Sequence, residues 1–380
     1  MIESLFWLSV VLVLYPYLIY PAIIKIIAKL NRKTVARADN VPNVTVLIAA
    51  YNEADCIELT MQKMLAQNYP KQKLEIIVVS DGSEDGTDTI VESYASQGVR
   101  LIRQEPRRGK AAALNLGVKQ ANGEILVFAD ANSQFTADAL SHMVKNFADP
   151  SVGYITGTLR FLADDGSVSG DGCSAYMKFE NFLRKLETDF GSVIGVNGGV
   201  DAIRKSLYTD IREDLITDFV LPLHVISQNH RVIYDEQVIS YEMPNSEMEA
   251  EFRMRVRVAL RALQGLRYMQ TLLNPARNTR IAFSIISHKL IRYLAPIFML
   301  AALLFNLLLA LSSTLYTCIF AIHLLIYAAG AWAAFFPVTG TAGKLLTIPA
   351  YFLATNSAFM IALIKYVKGE KMATWKPRAG

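Results

Sequence analysis

Apolar residues are distributed in two different ways along this chain. At its ends they form long runs: Leu5 to Ala28, about Ile291 to Leu311, Leu315 to Phe336 and Leu345 to Tyr366. Each can cross a bilayer as a helix of ~20 residues. Pro16, Pro21, Pro296 and Pro349 interrupt these runs, which lipid tolerates where neighbouring helices satisfy the freed carbonyls. In the middle the apolar runs are short. Val44 to Ala50, Leu74 to Ser80, Val99 to Arg103, Glu124 to Ala129 and Val152 to Phe161 read as strands. Helical patterns separate them, reaching about Gln67, starting again near Thr87, and covering Lys110 to Gln120 and Thr136 to Phe147. This alternation predicts βαβ units and a mostly parallel sheet. Beyond it lie a helix from Asp171 to Phe190, a glycine-rich turn from Gly195 to Gly199, a helix entered at Asp218, a strand from Arg231 to Val238 and a basic helical segment from Glu251 to Met269.

The pattern divides the chain into an N-terminal transmembrane helix (1–28), an α/β domain (41–245), amphipathic interfacial helices (246–290), about three C-terminal transmembrane helices (291–366) and a basic tail (367–380). The first run is too long for a signal-peptide core, and no small-residue cleavage site follows it. Lys25, Lys29, Arg32, Lys33 and Arg37 come just after it, so the positive-inside rule puts the α/β domain in the cytoplasm. Three late crossings would then leave the C-terminus outside, yet Lys365, Lys368, Lys371, Lys376 and Arg378 argue for inside. Either one run does not cross, or the rule fails here. The formal net charge of +4 follows from these flanking residues and implies a lipid-surface partner, not nucleic acid. Cys56, Cys173 and Cys318 are scattered and odd in number, against a disulfide framework or a zinc site.

Three acidic signatures stand out within the α/β region. Asp81 lies in VVSDGSEDGT, Asp130 and Asn132 in ILVFADAN, and Asp218 in LITDFVLPL. The first two follow buried-strand patterns, so each carboxylate falls just past a strand's carboxyl end, where open α/β sheets bind ligands. A buried carboxylate needs a cation or a donor. Asp130 and Asn132 are two apart after a strand and can face one hard cation, Mn2+ or Mg2+, that bridges to phosphate oxygens. The alternative for DGSEDG and for the Asp130 pair is turn chemistry; for Asp218 it is a helix cap. Other phosphate sites fail. A P-loop needs glycine where Gln104 stands and Ser or Thr where Ala111 stands. A dinucleotide fingerprint needs GxGxxG where the chain reads AAYNEAD.

Taken in order, AYNE, SDGSEDGT, RRGKAAALN, FADAN, ITDF, EFRMRVRVALRALQ, SHKLIRYLAP and TWKPR resemble the membrane-bound family 2 glycosyltransferases, the group of cellulose-, chitin- and hyaluronan-synthase-like enzymes. The resemblance runs through nearly the whole chain. It implies a GT-A fold and an inverting enzyme that moves sugar from a nucleotide-diphosphate sugar, a UDP-sugar first of all. The acceptor would be a glycan or a lipid-linked molecule, the role cell-surface polysaccharide synthesis, and the place a bacterial-type inner membrane. Ala50, Tyr51, Glu53, Asp81, Lys110 and Asp130 would bind the donor, Asp130 and Asn132 the metal, and Asp218 would be the base. Asn132 departs from the family's Asp-x-Asp, and Thr217 replaces an acid before Asp218. Asp214, in REDL, is a rival base. Arg253, Arg257 and Arg261 would touch diphosphate or acceptor, or form a basic interfacial face. Polymerising members carry Gln-x-x-Arg-Trp; here Arg257 and Arg261 have no such Trp, so single transfer and polymerisation both stay open. The competing functions are a transporter or flippase, for which the late runs offer only His323, Asn306 and Asn356, and an inactive nucleotide-sugar-binding scaffold.

Overall fold

The computed structural model describes residues 1–162, 172–243, 248–335 and 340–371. The basic tail beyond Lys371, with Lys376 and Arg378, lies outside the described residues. The chain opens with an apolar helix in two parts, α1 (Ile2–Leu14) and α2 (Tyr20–Leu30), joined by a π-helical turn at Tyr15–Ile19. Pro16 and Pro21 fall in or beside that turn, and each removes a backbone N–H from the helical ladder.

The expected alternation follows. Strand β1 (Val44–Ala50), helix α3 (Ile57–Leu65), β2 (Leu74–Ser80), α4 (Thr87–Ser93), β3 (Val99–Arg103), α5 (Lys110–Gln120) and β4 (Ile125–Asp130) form a parallel set. Then come β5 (Gln134–Phe135), α6 (Ala139–Lys145), β6 (Val152–Phe161), α7 (Gly172–Phe190), β7 (Val200–Arg204), α8 (Thr217–Ser227) and β8 (Arg231–Glu242). All eight strands make one sheet in the order β3-β2-β1-β4-β7-β6-β8-β5. β7 runs antiparallel to both β4 and β6, and β6 and β8 are parallel, so the sheet is mixed and mostly parallel.

Period-two alternation sends side chains to two cores. On one face Leu47, Ile77, Val79 and Phe128 meet α5 and α8. On the other Val46, Ile48, Val78 and Val127 meet α3 and α6. The first core also takes in Leu260 and Leu263 of α9 (Met248–Tyr268). After α9 come α10 (Thr279–Ser284), α11 (Ile291–Ala310), α12 (Thr314–Phe335) and α13 (Gly340–Val367). Among the described residues, four helical stretches are long and apolar enough to cross a membrane: Ile2–Leu30, Thr279–Ala310, Thr314–Ala333 and Ile348–Val367.

A buried polar knot ties the first of these stretches to the α/β domain. Glu187 of α7 accepts from Tyr20 Oη (2.8 Å) and the Ile194 N–H (3.0 Å) and pairs with His288 Nδ1 (2.7 Å). Glu180, two turns earlier on the same face of α7, accepts from Arg292 Nη1 at 2.6 Å. Both carboxylates are buried. Burial alone would raise their pKa values, but Arg292 beside Glu180 and His288 beside Glu187 hold them below the ordinary glutamate value.

Candidate active site

Each parallel strand ends in a polar turn on the same edge of the sheet. Asp81 is the first residue after β2, and its N–H donates to the Ala50 carbonyl at the end of β1 (2.8 Å). That bond staples the two strand ends together and buries Asp81 completely. Its carboxylate accepts from Gln104 Nε2, from the Arg108 N–H (2.8 Å) and from the Gly109 N–H (2.8 Å). Asp81 therefore shapes the turn that starts α5. Arg107, in that turn, lays its guanidinium 3.4 Å above the Tyr51 ring. Glu53 starts the next turn; its N–H donates to Thr87 Oγ1 (2.9 Å), and its carboxylate accepts from Cys56 Sγ (3.1 Å).

Asp130 closes β4 and pairs with Lys110, the first residue of α5. Its backbone N–H donates to Ser133 Oγ (3.1 Å). Asn132 is half-buried, and no side-chain partner is recorded for it among the described residues. Asp218 lies in the first turn of α8 and accepts from Thr217 Oγ1 at 2.9 Å. Gly198 and Gly199 form the wall between the two acids. A Cβ on Gly198 would stand 2.5 Å from Asp218 Cγ, and one on Gly199 2.9 Å from Asp130 Cγ. Gly199 also has φ of +76°, a conformation that side chains resist. The glycine-rich turn thus lets two acids from distant parts of the chain approach one stretch of backbone.

Sequence reasoning missed a third acid. Asp201 sits in the middle of β7, 2% exposed. One carboxylate oxygen meets the Tyr154 hydroxyl, and the other is buried with no hydrogen-bond partner among the described residues. Burial and the nearby Asp218 charge push its pKa well above the ordinary value, against the pull of Tyr154 and Lys110. Lys110 feels all three acids. Burial would lower its pKa, but Asp130, Asp218 and Asp201 outweigh that and raise it. The signal available in the sequence was a lone carboxylate inside an apolar strand pattern, VDAIR.

The arginines of α9 divide. Arg261 is buried, and its guanidinium donates to the Glu213 carbonyl (3.3 Å) and to the Leu215 carbonyl, bracing the loop that leads to Asp218. Burial, with Arg257 adding to it, brings the Arg261 pKa down to about 10. Arg253 is exposed and paired with Glu249. Asp214 is held by Arg212 (2.6 Å) and by Lys371 (3.4 Å). Burial opposes these cations, yet its pKa stays below the ordinary value. Its lone pairs are committed to two cations, whereas Asp218 accepts, among the described residues, from the neutral Thr217 hydroxyl.

Among the described residues no three His, Cys, Asp or Glu side chains come close enough to hold a metal by themselves. The donor set near Asp130 and Asn132 fits a hard cation that completes its shell with phosphate oxygens. It does not fit a closed protein cage.

Residues 45–208 match the family model "Glycosyl transferase family 2". The chain is 29% identical over 236 residues to poly-beta-1,6-N-acetyl-D-glucosamine synthase of Staphylococcus aureus (strain MSSA476), covering 60% of this chain and 57% of that protein. It is 26% identical over 239 residues to the Staphylococcus epidermidis protein of the same name. The match thus spans little more than half the length of these relatives. Among solved structures the fold is similar to mannosyltransferase PcManGT from Pyrobaculum calidifontis, solved with GDP-Man and Mn2+. That likeness has a TM-score of 0.75 at 22% identity and covers 97% of this chain and 100% of the other. Residues 45–208 are thus similar to family 2 glycosyltransferases and lie in a domain of GT-A fold, joined to apolar helices of membrane-spanning length.

Proposed function

We propose that this enzyme transfers a sugar from a nucleotide-diphosphate sugar, a UDP-sugar first of all, to a hydroxyl of a glycan or lipid-linked acceptor, with inversion at the anomeric carbon. The place is the cytoplasmic face of a bacterial inner membrane, and the role is cell-surface polysaccharide synthesis. One observation carries this reading: Asp130, Lys110 and Asp218 meet around Gly198 and Gly199 at the sheet's carboxyl edge. The names of the staphylococcal relatives favour an N-acetylhexosamine as the sugar.

In this reading Tyr51, Glu53, Asp81 and the Ala50 strand end form the nucleotide side of the cleft. Asp130 and Asn132 would hold Mn2+ or Mg2+ together with the diphosphate. When bound, the cation offsets negative charge on the leaving diphosphate. Lys110 does the same from the protein side, swinging from Asp130 toward the phosphates. Asp218 accepts the proton of the acceptor hydroxyl as that oxygen bonds to the anomeric carbon. The bond from the anomeric carbon to the diphosphate breaks, and its electron pair leaves with the diphosphate. One displacement inverts the centre. Arg261 acts through the backbone of residues 213–215, keeping Asp218 in place.

The test uses membranes holding the full chain, incubated with UDP- and GDP-sugars plus Mn2+, with products read by mass. Transfer from one donor class is expected. Asp218→Asn should lose transfer by ~10²–10⁴-fold, the usual contribution of a positioned base, while binding donor as before. An active Asp218→Asn enzyme, or one that loses donor binding in step with transfer, would remove the base assignment.

A further inference from the structure

We propose that α13 does not cross the membrane but lies along its surface, docked on the same side as the catalytic domain. The chain then crosses three times, and its C-terminus returns to the side of the domain. This goes beyond the enzyme assignment and does not depend on it.

Contacts at both ends of α13's second half support this. Thr355 accepts from Arg255 Nη1 of α9 (3.2 Å), and the Tyr351 ring lies 4.1 Å from the same guanidinium. Phe359 and Ala362 are buried in the cluster where the catalytic domain's core meets the start of α11, and the Phe359 ring packs edge-on against Tyr293 at 5.1 Å. Just past the helix, the Glu370 carbonyl accepts from Gln264 Nε2 of α9 (2.9 Å), and Lys371 pairs with Asp214 (3.4 Å). From Thr355 to Lys371 the chain thus follows α9 and the loop before Asp218. α9 itself carries Glu249, Glu251, Arg253, Arg255, Arg257 and Arg261. Six charges within four turns exclude it from hydrocarbon, and so exclude the segment that follows it.

Length gives the same answer. α13 runs from Gly340 to Val367. The part before Thr355 is about 22 Å long at 1.5 Å per residue, short of the ~30 Å hydrocarbon core. The helix is also two-faced. Thr355, Ala358, Phe359 and Ala362 face the protein, whereas Ile361, Ile364 and Val367 are 38%, 48% and 84% exposed. An apolar outward face beside lysines such as Lys365 and Lys368 suits the boundary between headgroups and acyl chains. The lipid surface is therefore its partner.

The other helices fix the count. Glu3 and Trp7 of α1 bond to the Tyr316 hydroxyl at the start of α12, and Phe6 packs with Tyr316 and Ala302. The start of α1, the end of α11 and the start of α12 therefore share the rim far from the domain. α12 then returns, and its Gly330 packs on the backbone of Pro349, just before Tyr351. Crossings by α1–α2, α10–α11 and α12 leave α13 on the domain side. The charge conflict in the sequence eases, because Lys365, Lys368 and Lys371 then lie on the same side as the basic flank of the first helix.

Single cysteines in a cysteine-free full-length chain test this with a membrane-impermeant maleimide on intact and on permeabilised spheroplasts. Gly380→Cys should label like Glu84→Cys in the catalytic domain and opposite to Ser312→Cys in the far-rim turn. The comparison holds whichever face the domain occupies, and it needs no activity. A spin label at Ile364→Cys should report headgroup depth. Gly380→Cys labelling like Ser312→Cys, or a label at residue 364 deep in the acyl core, overturns the proposal.

Discussion

Gly198→Ala puts the proposed base geometry to a direct test. The new Cβ would stand 2.5 Å from Asp218 Cγ and 2.9 Å from Oδ1. Two carbons rest no closer than ~3.5 Å, so the carboxylate must retreat by about 1 Å. A misplacement of about that size costs on the order of 10²-fold in rate, or ~2.7 kcal/mol of transition-state stabilisation. The backbone at Gly198 has ordinary φ, so the substitution carries no left-handed strain, unlike one at Gly199. Overpacking costs ~1–3 kcal/mol of stability, which thermal unfolding in detergent measures separately. The assay is initial-rate sugar transfer at saturating donor, with donor affinity by calorimetry. A ~10²-fold fall in kcat with donor affinity preserved is expected, and combining it with Asp218→Asn should add little. Gly191→Ala is the control, because a Cβ there would meet nothing within 4 Å. A Gly198→Ala enzyme within about threefold of the parent kcat would refute the argument, since a positioned base cannot move that far at so small a cost.

Two further outcomes concern buried charge. Asp201 keeps its proton above the ordinary carboxylate range in the folded chain, whereas the unfolded chain gives it up within that range. Its contribution to stability is present below the unfolded value and is lost as pH rises through the folded one. Asp201→Asn should therefore gain in Tm over the parent as pH is raised from about 5 to about 8; a pH-independent difference would contradict this. Glu187→Ala removes the acceptor shared by Tyr20, His288 and the Ile194 N–H. It should cost ~3–5 kcal/mol, the usual result of stranding a buried partner. Because the Glu187 pKa is lowered, its contribution is present above the ordinary glutamate value and fades as pH falls through the folded one. A thermal shift equivalent to less than ~1 kcal/mol would mean that the knot does not hold the first helix to the domain.

The sheet was legible wherever a strand was apolar throughout. β1, β2 and β4 carry largely apolar runs rich in β-branched residues, and the ends of β2 and β4 located Asp81 and Asp130. β7 was not legible, because its five residues hold Asp201 and are paired on both sides by antiparallel neighbours. With β7 went Asp201, its partner Tyr154 and the reason for the two glycines before it. Arg261 was visible as a charge in a basic segment. Its burial and its bonds to the Glu213 and Leu215 carbonyls distinguish it from Arg253, which sits just over two helical turns earlier on the exposed face.

The sequence by itself determined the elements, the strand ends that carry acids, and the apolar runs long enough for a bilayer, because hydrophobic periodicity and turn chemistry act between residues close in the chain. Tertiary structure alone decided which acids gather around Lys110, which carboxylate is tied up by Arg212 and Lys371, and which surface α13 covers. Those outcomes depend on contacts between segments a hundred residues or more apart, such as Asp214 with Lys371 and Arg255 with Thr355. Length and composition make Ile348–Val367 resemble its neighbours; the partner buried under Phe359 and Ala362 makes it different.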